Sequence, residues 1–296
     1  GWLHNHARMW FASIWIFTLE LPWQHGAAFF MENLLDGDPA SNTLSWRWVG
    51  GLHTSGKHYL ARASNIAKYT DGRFNPQGAL NESAEPLSAD GSFETTSLAA
   101  VDSLKDVHLP SLSFCPAGLL VTPEDLSPEV SELGETPFTS IGVFSADDIL
   151  DTFNASSKVR DFHEDAVNDA CQRLSEHWDG RITECHREVI PAVGKASPSN
   201  VGRRERMRVY GGPVNKWVES ILTWAKNENL KSVWMLRPPT GPYADALPEL
   251  KSALRDRNIR LFQYRRRWDS KHWPHATGGY FRFNKGLEAR IGELRG

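Results

Sequence analysis

The chain has 296 residues and a mass of 33.3 kDa, enough for two domains with a core each, which excludes a small peptide-like binder. Hydrophobic residues at 40% and charged residues at 23% exclude wholesale disorder and a polytopic membrane protein. A net charge of −3 gives no global attraction for nucleic acid or anionic lipid, so any basic surface is local. Three widely spaced cysteines, Cys115, Cys171 and Cys185, contain no CxxC pair, which argues against a disulfide framework, zinc ribbon or iron–sulfur cluster. The expected setting is the reducing cytoplasm.

The sequence opens at Gly1 in a stretch already helical in character, GWLHNHARMWFASIWIFTLELPW, and reads as a fragment of a longer protein. Its longest apolar run, Met9 to Leu19, ends at Glu20 and is too short to span a bilayer, so neither a signal peptide nor a membrane helix is expected. Residues 2–20 suit one buried helix and 25–35 a second. The break at Asp36-Gly37-Asp38-Pro39 places Asp38-Pro39 where a third helix can open. From Asn81 to Glu135 eleven acids meet the single base Lys105, and with its Pro and Ser content much of this run reads as an exposed linker. β-rich runs at 118–122, 138–144, 181–185, 232–236 and 259–264 then alternate with helical patterns at 159–178, 213–229 and 243–256. Such alternation predicts parallel strands joined by helices. The expected fold is therefore mixed: an all-α part over 1–80, an acidic linker over 81–116, and a doubly wound, Rossmann-like α/β domain over 117–296.

The second half carries little chemistry in its motifs. It has no GxGxxG and no Walker loop. Gly211-Gly212-Pro213 and Pro238-Pro239-Thr240-Gly241-Pro242 could meet a phosphate but are more simply ordinary turns. His163, His177, His186, His272 and His275 show no metal-ligand spacing, so no metal is expected. Between Arg260 and Gly296 nine bases outnumber three acids, with Trp268, Trp273, Tyr280 and Phe281 interleaved. That pattern fits either a nucleic-acid surface or a solvated basic rim over an aromatic core.

The first 50 residues are richer. On a helix, Trp2, Asn5, Arg8 and Met9 share roughly one face. From spacing alone the aromatics could be plain core, with Arg8 pairing a carboxylate such as Asp36. The ordered string GWLHN-x-ARM, LPW-x-x-G, LLDGD-x-A-x-N and W-x-W, however, resembles the C-terminal part of the FAD-binding helical domain of the photolyase/cryptochrome family. RASNIAKYTDGRFNPQGAL is similar to the stretch that follows it there, so the resemblance covers residues 1 to about 80. The family's α/β domain usually precedes the flavin domain, whereas here an α/β pattern follows it.

The resemblance implies FAD as cofactor, with Asn5, Arg8, Asp36, Gly37, Asp38 and Asn42 as its contacts. Arg8, paired with Asp36, would lie beside the isoalloxazine and stabilise an anionic reduced ring. Were that pair fully buried, losing Asp36 would cost roughly 3–5 kcal/mol. Asp38 would accept hydrogen bonds from the ring and ribityl side, and Asn42 would face flavin N5. Trp46 and Trp23 match the inner and middle members of the family's tryptophan relay. Trp2, Asn5, His6, Met9 and Trp48 match positions that hold damaged DNA; Met9 favours cyclobutane pyrimidine dimers, and Asn42 leans towards the repair enzymes rather than the cryptochromes. The implied activity is that of a light-driven photolyase-type lyase. The alternatives are a cryptochrome-like photoreceptor and a non-catalytic flavoprotein.

Overall fold

The computed structural model describes residues 1–53, 57–88, 116–145, 147–178, 182–184, 214–277 and 280–295. The chain divides into two compact units, Gly1–Thr95 with Ile149–His163, and Thr96–Asp148 with Glu164–Gly296.

In the first unit, helix α1 (Asn5–Ser13) starts where the His4 side chain accepts a hydrogen bond from His6 N. It runs into a wider π turn over Ile14–Thr18, closed by Leu19 N donating to Ile14 O at 2.9 Å. The single helix expected over 2–20 is thus a shorter helix with a π-helical last turn, and Glu20 leaves it with a φ of 54°. Helix α2 (Trp23–Asn33) follows Pro22. Helix α3 (Pro39–Gly50) opens with Asp38 accepting from Ser41 N at 2.6 Å, with Pro39 at its first position. A side-chain cap of this kind stabilises a helix by about 1 kcal/mol. It ends at Gly51, whose φ of 85° is open to glycine with little strain. Helix α4 (Ala63–Tyr69) completes the set. Ala12, Ile16, Phe17, Ala27, Phe30, Leu34, Trp46 and Val49 form the core between α1, α2 and α3. Within this same unit Glu32 accepts from Ser156 N and from the Asn154 amide, which anchors the turn before Ser157.

The second unit is built on five strands, β1 (Ala117–Val121), β2 (Ser140–Val143), β3 (Ile182–Glu184), β4 (Ser232–Leu236) and β5 (Arg260–Tyr264). They lie in the order β3-β2-β1-β4-β5 and every pair is parallel. Leu119 stands opposite both Ile141 and Trp234, and Trp234 opposite Phe262. Every residue of β1, β2 and β4 is buried, as a parallel sheet covered on two faces requires, whereas β5 opens with exposed Arg260. Of the later helices, α5 (Asp147–Thr152) falls mostly in the first unit and α6 (Ser157–His177) belongs to the first unit up to His163 and to the second beyond it, while α7 (Val214–Asn227), α8 (Pro242–Arg255), α9 (Arg267–His272), α10 (Tyr280–Asn284) and α11 (Leu287–Arg295) belong to the second. The protein is therefore a mixed α/β chain with a parallel sheet. Elements read from the sequence recur within a residue or two; Arg181, Cys185 and Gly211-Gly212-Pro213 lie outside the described residues.

Part of the acidic run is structural rather than linker. Asp125 binds Arg266 through both of its oxygens, and Glu129 pairs with Arg173. Residues 81–88 carry no helix or strand, and 89–115 lie outside the described residues.

Two predictions follow from this packing. A Cβ on Gly118 would come within 2.4 Å of Leu230 Cδ1 and 2.6 Å of Trp224 Cη2, and the Trp224 indole is pinned by donating to the buried Ser140 hydroxyl at 2.9 Å. Gly118→Ala should destabilise the chain by about 1–3 kcal/mol in urea denaturation with an unchanged denaturant slope. Burial pushes the His163 imidazole below its ordinary pKa, so the fold favours the neutral ring. The stability it contributes is complete above about pH 6.5 and is lost as pH falls through the lowered folded value. Thermal unfolding of His163→Gln should accordingly show a shallower loss between pH 7 and 5 than that of the parent chain.

Candidate functional site

The conformation of the first turn fixes the Arg8 side chain. Arg8 Nε donates to Leu3 O at 2.8 Å, and its Nη2 donates to both Asp36 oxygens at 3.0 and 2.8 Å. Leu35 N donates to Gly1 O, which ties the segment before Asp36 to the start of the chain. The Arg8 and Asp36 side chains are 27% and 51% exposed, so the pair is made but is not buried. The full penalty expected for unpairing a buried arginine therefore does not apply here.

Gly37 completes the tight turn that follows: its N–H donates to Leu34 O at 3.3 Å, and a Cβ there would sit 3.3 Å from Met31 Sδ. One residue on, Asp38 caps α3, and its backbone O accepts from Asn42 N. Asp38, Asn42 and Trp46 then recur every four residues along one face of α3. The Asn42 amide donates to Ala27 O at 2.8 Å, which fixes its orientation against α2.

Trp46 is only 1% exposed, with ring centroids 5.1 Å from Phe30 and 6.3 Å from both Phe11 and Trp15. A Cβ on Gly26 would fall 2.1 Å from the edge of its indole, which explains the glycine in LPW-x-x-G as the hole that Trp46 fills. Its indole N–H is buried and makes no hydrogen bond. Such a donor is costly to leave unmade and is uncommon in a finished core.

The remaining candidates are spread more widely. Asn5 Nδ2 lies 3.6 Å from Met9 Sδ, so these two sit together on α1. Trp2 is 66% exposed and begins a chain of rings through His4, His6 and Tyr69, with His6 4.9 Å from Tyr69. Trp48 projects from a different face of α3 than Trp46 and stacks on Tyr59 at 6.0 Å. Among the described residues no hydrogen bond or ring contact joins Trp48 to Asn5 or Met9. Nor does a ring contact join Trp23 to Trp46; the Arg47 guanidinium lies over Trp23 at 5.8 Å instead. Burial raises the Tyr59 pKa, opposed by a hydrogen bond with Trp10 and by Arg62.

Sequence reasoning missed Trp15, Tyr59 and Tyr69. The four-residue step from Phe11 to Trp15, and the seven-residue step from Arg62 to Tyr69 along α4, were the available signals. No cluster of three or more His, Cys, Asp or Glu side chains able to hold a metal occurs among the described residues. Among those residues no helix is long and apolar enough to cross a membrane.

The first unit thus presents an arginine–aspartate pair ahead of a capped helix that carries an oriented amide and a buried indole. Residues 1–81 match the FAD binding domain of DNA photolyase and are similar in sequence to photolyases and cryptochromes; the cofactor that this domain indicates is FAD. The chain is 50% identical over 54 residues to a deoxyribodipyrimidine photo-lyase of Streptomyces griseus, 18% of this chain and 12% of that protein. It is 39% identical over 60 residues to the deoxyribodipyrimidine photo-lyase of Escherichia coli (strain K12), covering 20% and 13%. Cryptochrome-1 of Arabidopsis thaliana is 32% identical over 78 residues, covering 26% and 11%. The chain thus spans little more than a tenth of the length of these relatives. No solved structure matches the chain.

Asp38, Asn42 and Trp46 share one face at the start and middle of α3, and Asp36 holds the Arg8 guanidinium at the turn before that helix. Gly26→Val should cost more than about 3 kcal/mol, because the intruding methyls meet a rigid indole between packed helices. Urea denaturation of the variant, with Trp46 fluorescence as one probe, checks it. Asp36→Ala should cost about 1 kcal/mol, with a salt dependence, since solvent reaches both partners. A measured loss above 3 kcal/mol would show that the pair is shielded from solvent.

Proposed function

We propose that the protein containing this chain is an FAD-dependent, light-driven DNA repair enzyme of photolyase type, acting on cyclobutane pyrimidine dimers. The observation that carries this reading is the Arg8–Asp36 ion pair set one turn before the α3 face of Asp38, Asn42 and Trp46. Reduced FAD, when bound and excited by blue or near-UV light, supplies the electron that splits the dimer. Arg8 places a fixed positive charge where an anionic ring is favoured, and Asp36 holds that charge in position. Asn42 presents an amide that serves the ring in either protonation state, because it both donates and accepts. Asp38 and Gly37 shape the turn on which the ring's polar edge rests.

Trp46 and Trp23 would serve as the relay that delivers electrons to the flavin when it is bound. Trp2, Asn5, His6, Met9 and Trp48 receive a dimer swung out of the duplex, as any base-acting site requires. Met9 packs on it as a polarisable apolar group and offers no proton. In this reading the chain comprises part of the flavin domain over 1–80, an acidic linker over 81–116 and a Rossmann-like module over 117–296, in a cytoplasmic protein. The strand order β3-β2-β1-β4-β5 supports the last assignment.

A second reading, a cryptochrome-like photoreceptor, is favoured by the 78-residue match to Cryptochrome-1. Two measurements on the full-length protein separate them. Trp46→Phe should abolish photoreduction of oxidised flavin and leave repair by chemically reduced enzyme largely intact; undiminished photoreduction would remove Trp46 from the relay. Illuminated oligonucleotides bearing one defined lesion should lose cyclobutane thymine dimers and retain (6-4) products. Repair of the (6-4) lesion would overturn the substrate assignment, and repair of neither by a photoreducible protein would favour the photoreceptor.

A further inference from the structure

We infer that the last helices of the second unit bind single-stranded nucleic acid without sequence preference, with Trp268, Tyr280 and Phe281 stacking on bases and Arg267, Arg282 and Lys285 meeting phosphates. This surface lies outside residues 1–81, and the inference does not rest on the flavin reading.

Charge is the first observation. From Arg260 to Gly296 nine bases stand against three acids, a net of +6 in a chain whose total is −3. Some of these cations hold the structure together: Arg266 is taken up by Asp125 and Ser127 O, Arg265 Nε donates to the Ser270 hydroxyl at 2.8 Å, and Arg290 donates to Phe283 O at 2.6 Å. Arg267, Arg282 and Lys285 are exposed, as are the acids Asp269 and Glu288. A basic excess of this size attracts a polyanion in a salt-dependent way.

The rings decide between the two readings that the sequence leaves open, a nucleic-acid surface and a basic rim over an aromatic core. A core would hide them. Phe281 is instead 88% and Tyr280 68% exposed, and Trp268 is exposed as well. Their supports are packed. The buried His272 donates from Nδ1 to Trp268 O at 2.7 Å and stacks on the Trp268 indole at 4.0 Å. Phe283, on the same short helix as Tyr280 and Phe281, meets the His272 ring at 6.3 Å and lies under the Arg290 guanidinium at 5.4 Å. Thus α9, α10 and α11 are tied together through inward groups while the three outward rings face solvent.

The composition of the surface selects the partner. Among the described residues from 260 onward every exposed large apolar side chain is aromatic and none is aliphatic. A helix that lies in a lipid interface buries a continuous apolar face, whereas separate rings interleaved with cations suit a polynucleotide, because every base has a π face and every linkage a phosphate. Bases in a duplex have those faces covered by their neighbours, so the chemistry favours a single strand.

The test is fluorescence anisotropy of the 296-residue chain with an undamaged, labelled oligothymidylate of about 20 nucleotides, long enough for more than one stacking site. Saturable binding is expected, at least tenfold tighter than that of a duplex of equal length, and weakening at least tenfold between about 50 and 200 mM salt. Tyr280→Leu combined with Phe281→Leu keeps the apolar bulk, alters only exposed groups and removes the rings; it should weaken binding at least tenfold. Arg267→Gln with Arg282→Gln should weaken binding and flatten the salt dependence, while Lys226→Gln with Lys251→Gln, an equal loss of exposed charge on α7 and α8, should leave affinity within about twofold. Absence of saturable binding at low salt, equal affinity for the duplex, or affinity unmoved by the double leucine variant would overturn the assignment. So would tighter binding to phosphatidylserine vesicles than to the oligonucleotide, which would make the surface a membrane contact.

Discussion

The first unit depends on one packing event, the insertion of the Trp46 indole into the gap left by Gly26. Three helices meet at that ring: Phe11 from α1, Phe30 from α2, and α3 itself, with Trp15 of the π turn closing the edge. Because close-packed interiors tolerate few voids and little overfilling, the separation of α2 and α3 is set by the thickness of an indole against a bare glycine backbone. The rest of the candidate site inherits its position from this contact. Asp38, the cap of α3, and Asn42 lie two turns and one turn before Trp46, and Asn42 is locked to Ala27 O one residue beyond Gly26. The same contact that holds the helices together thus aims the polar groups.

Stability and chemistry make different demands at this point. A fully buried indole donor without a partner works against folding, whereas the Asn42 amide is satisfied by Ala27 O. That departure falls on the helix that Asp38 caps and that carries Asn42. The Arg8–Asp36 pair differs in kind. It is solvent-accessible and contributes little to the fold, and its value lies in presenting a fixed charge.

Much of this was legible in the sequence because it is local. Asp38-Pro39 announces a capped helix by chemistry that operates within four residues, and five strands announced themselves by short β-rich runs between helical patterns. What was illegible depends on three-dimensional proximity. The exposure of Arg8 and Asp36 could not be read from a spacing of 28 residues, and nothing local distinguishes Trp15 at the edge of Trp46 from any other core indole. Nothing local announced that Asp125 and Glu129 pair with Arg266 and Arg173, because these partners lie far along the chain. The π turn at Ile14–Thr18 has no recognised sequence signature and emerges only from the packing of the helix end.

The account stands on residues 1–81 being one part of a working flavin site, and flavin content measures that most directly. The full-length protein, purified in the dark, should carry one FAD per chain by its visible absorbance, and Asn42→Ala combined with Arg8→Ala should lower that occupancy while leaving the far-UV circular dichroism unchanged. A folded full-length protein that carries no flavin and fails to take up added FAD would contradict it.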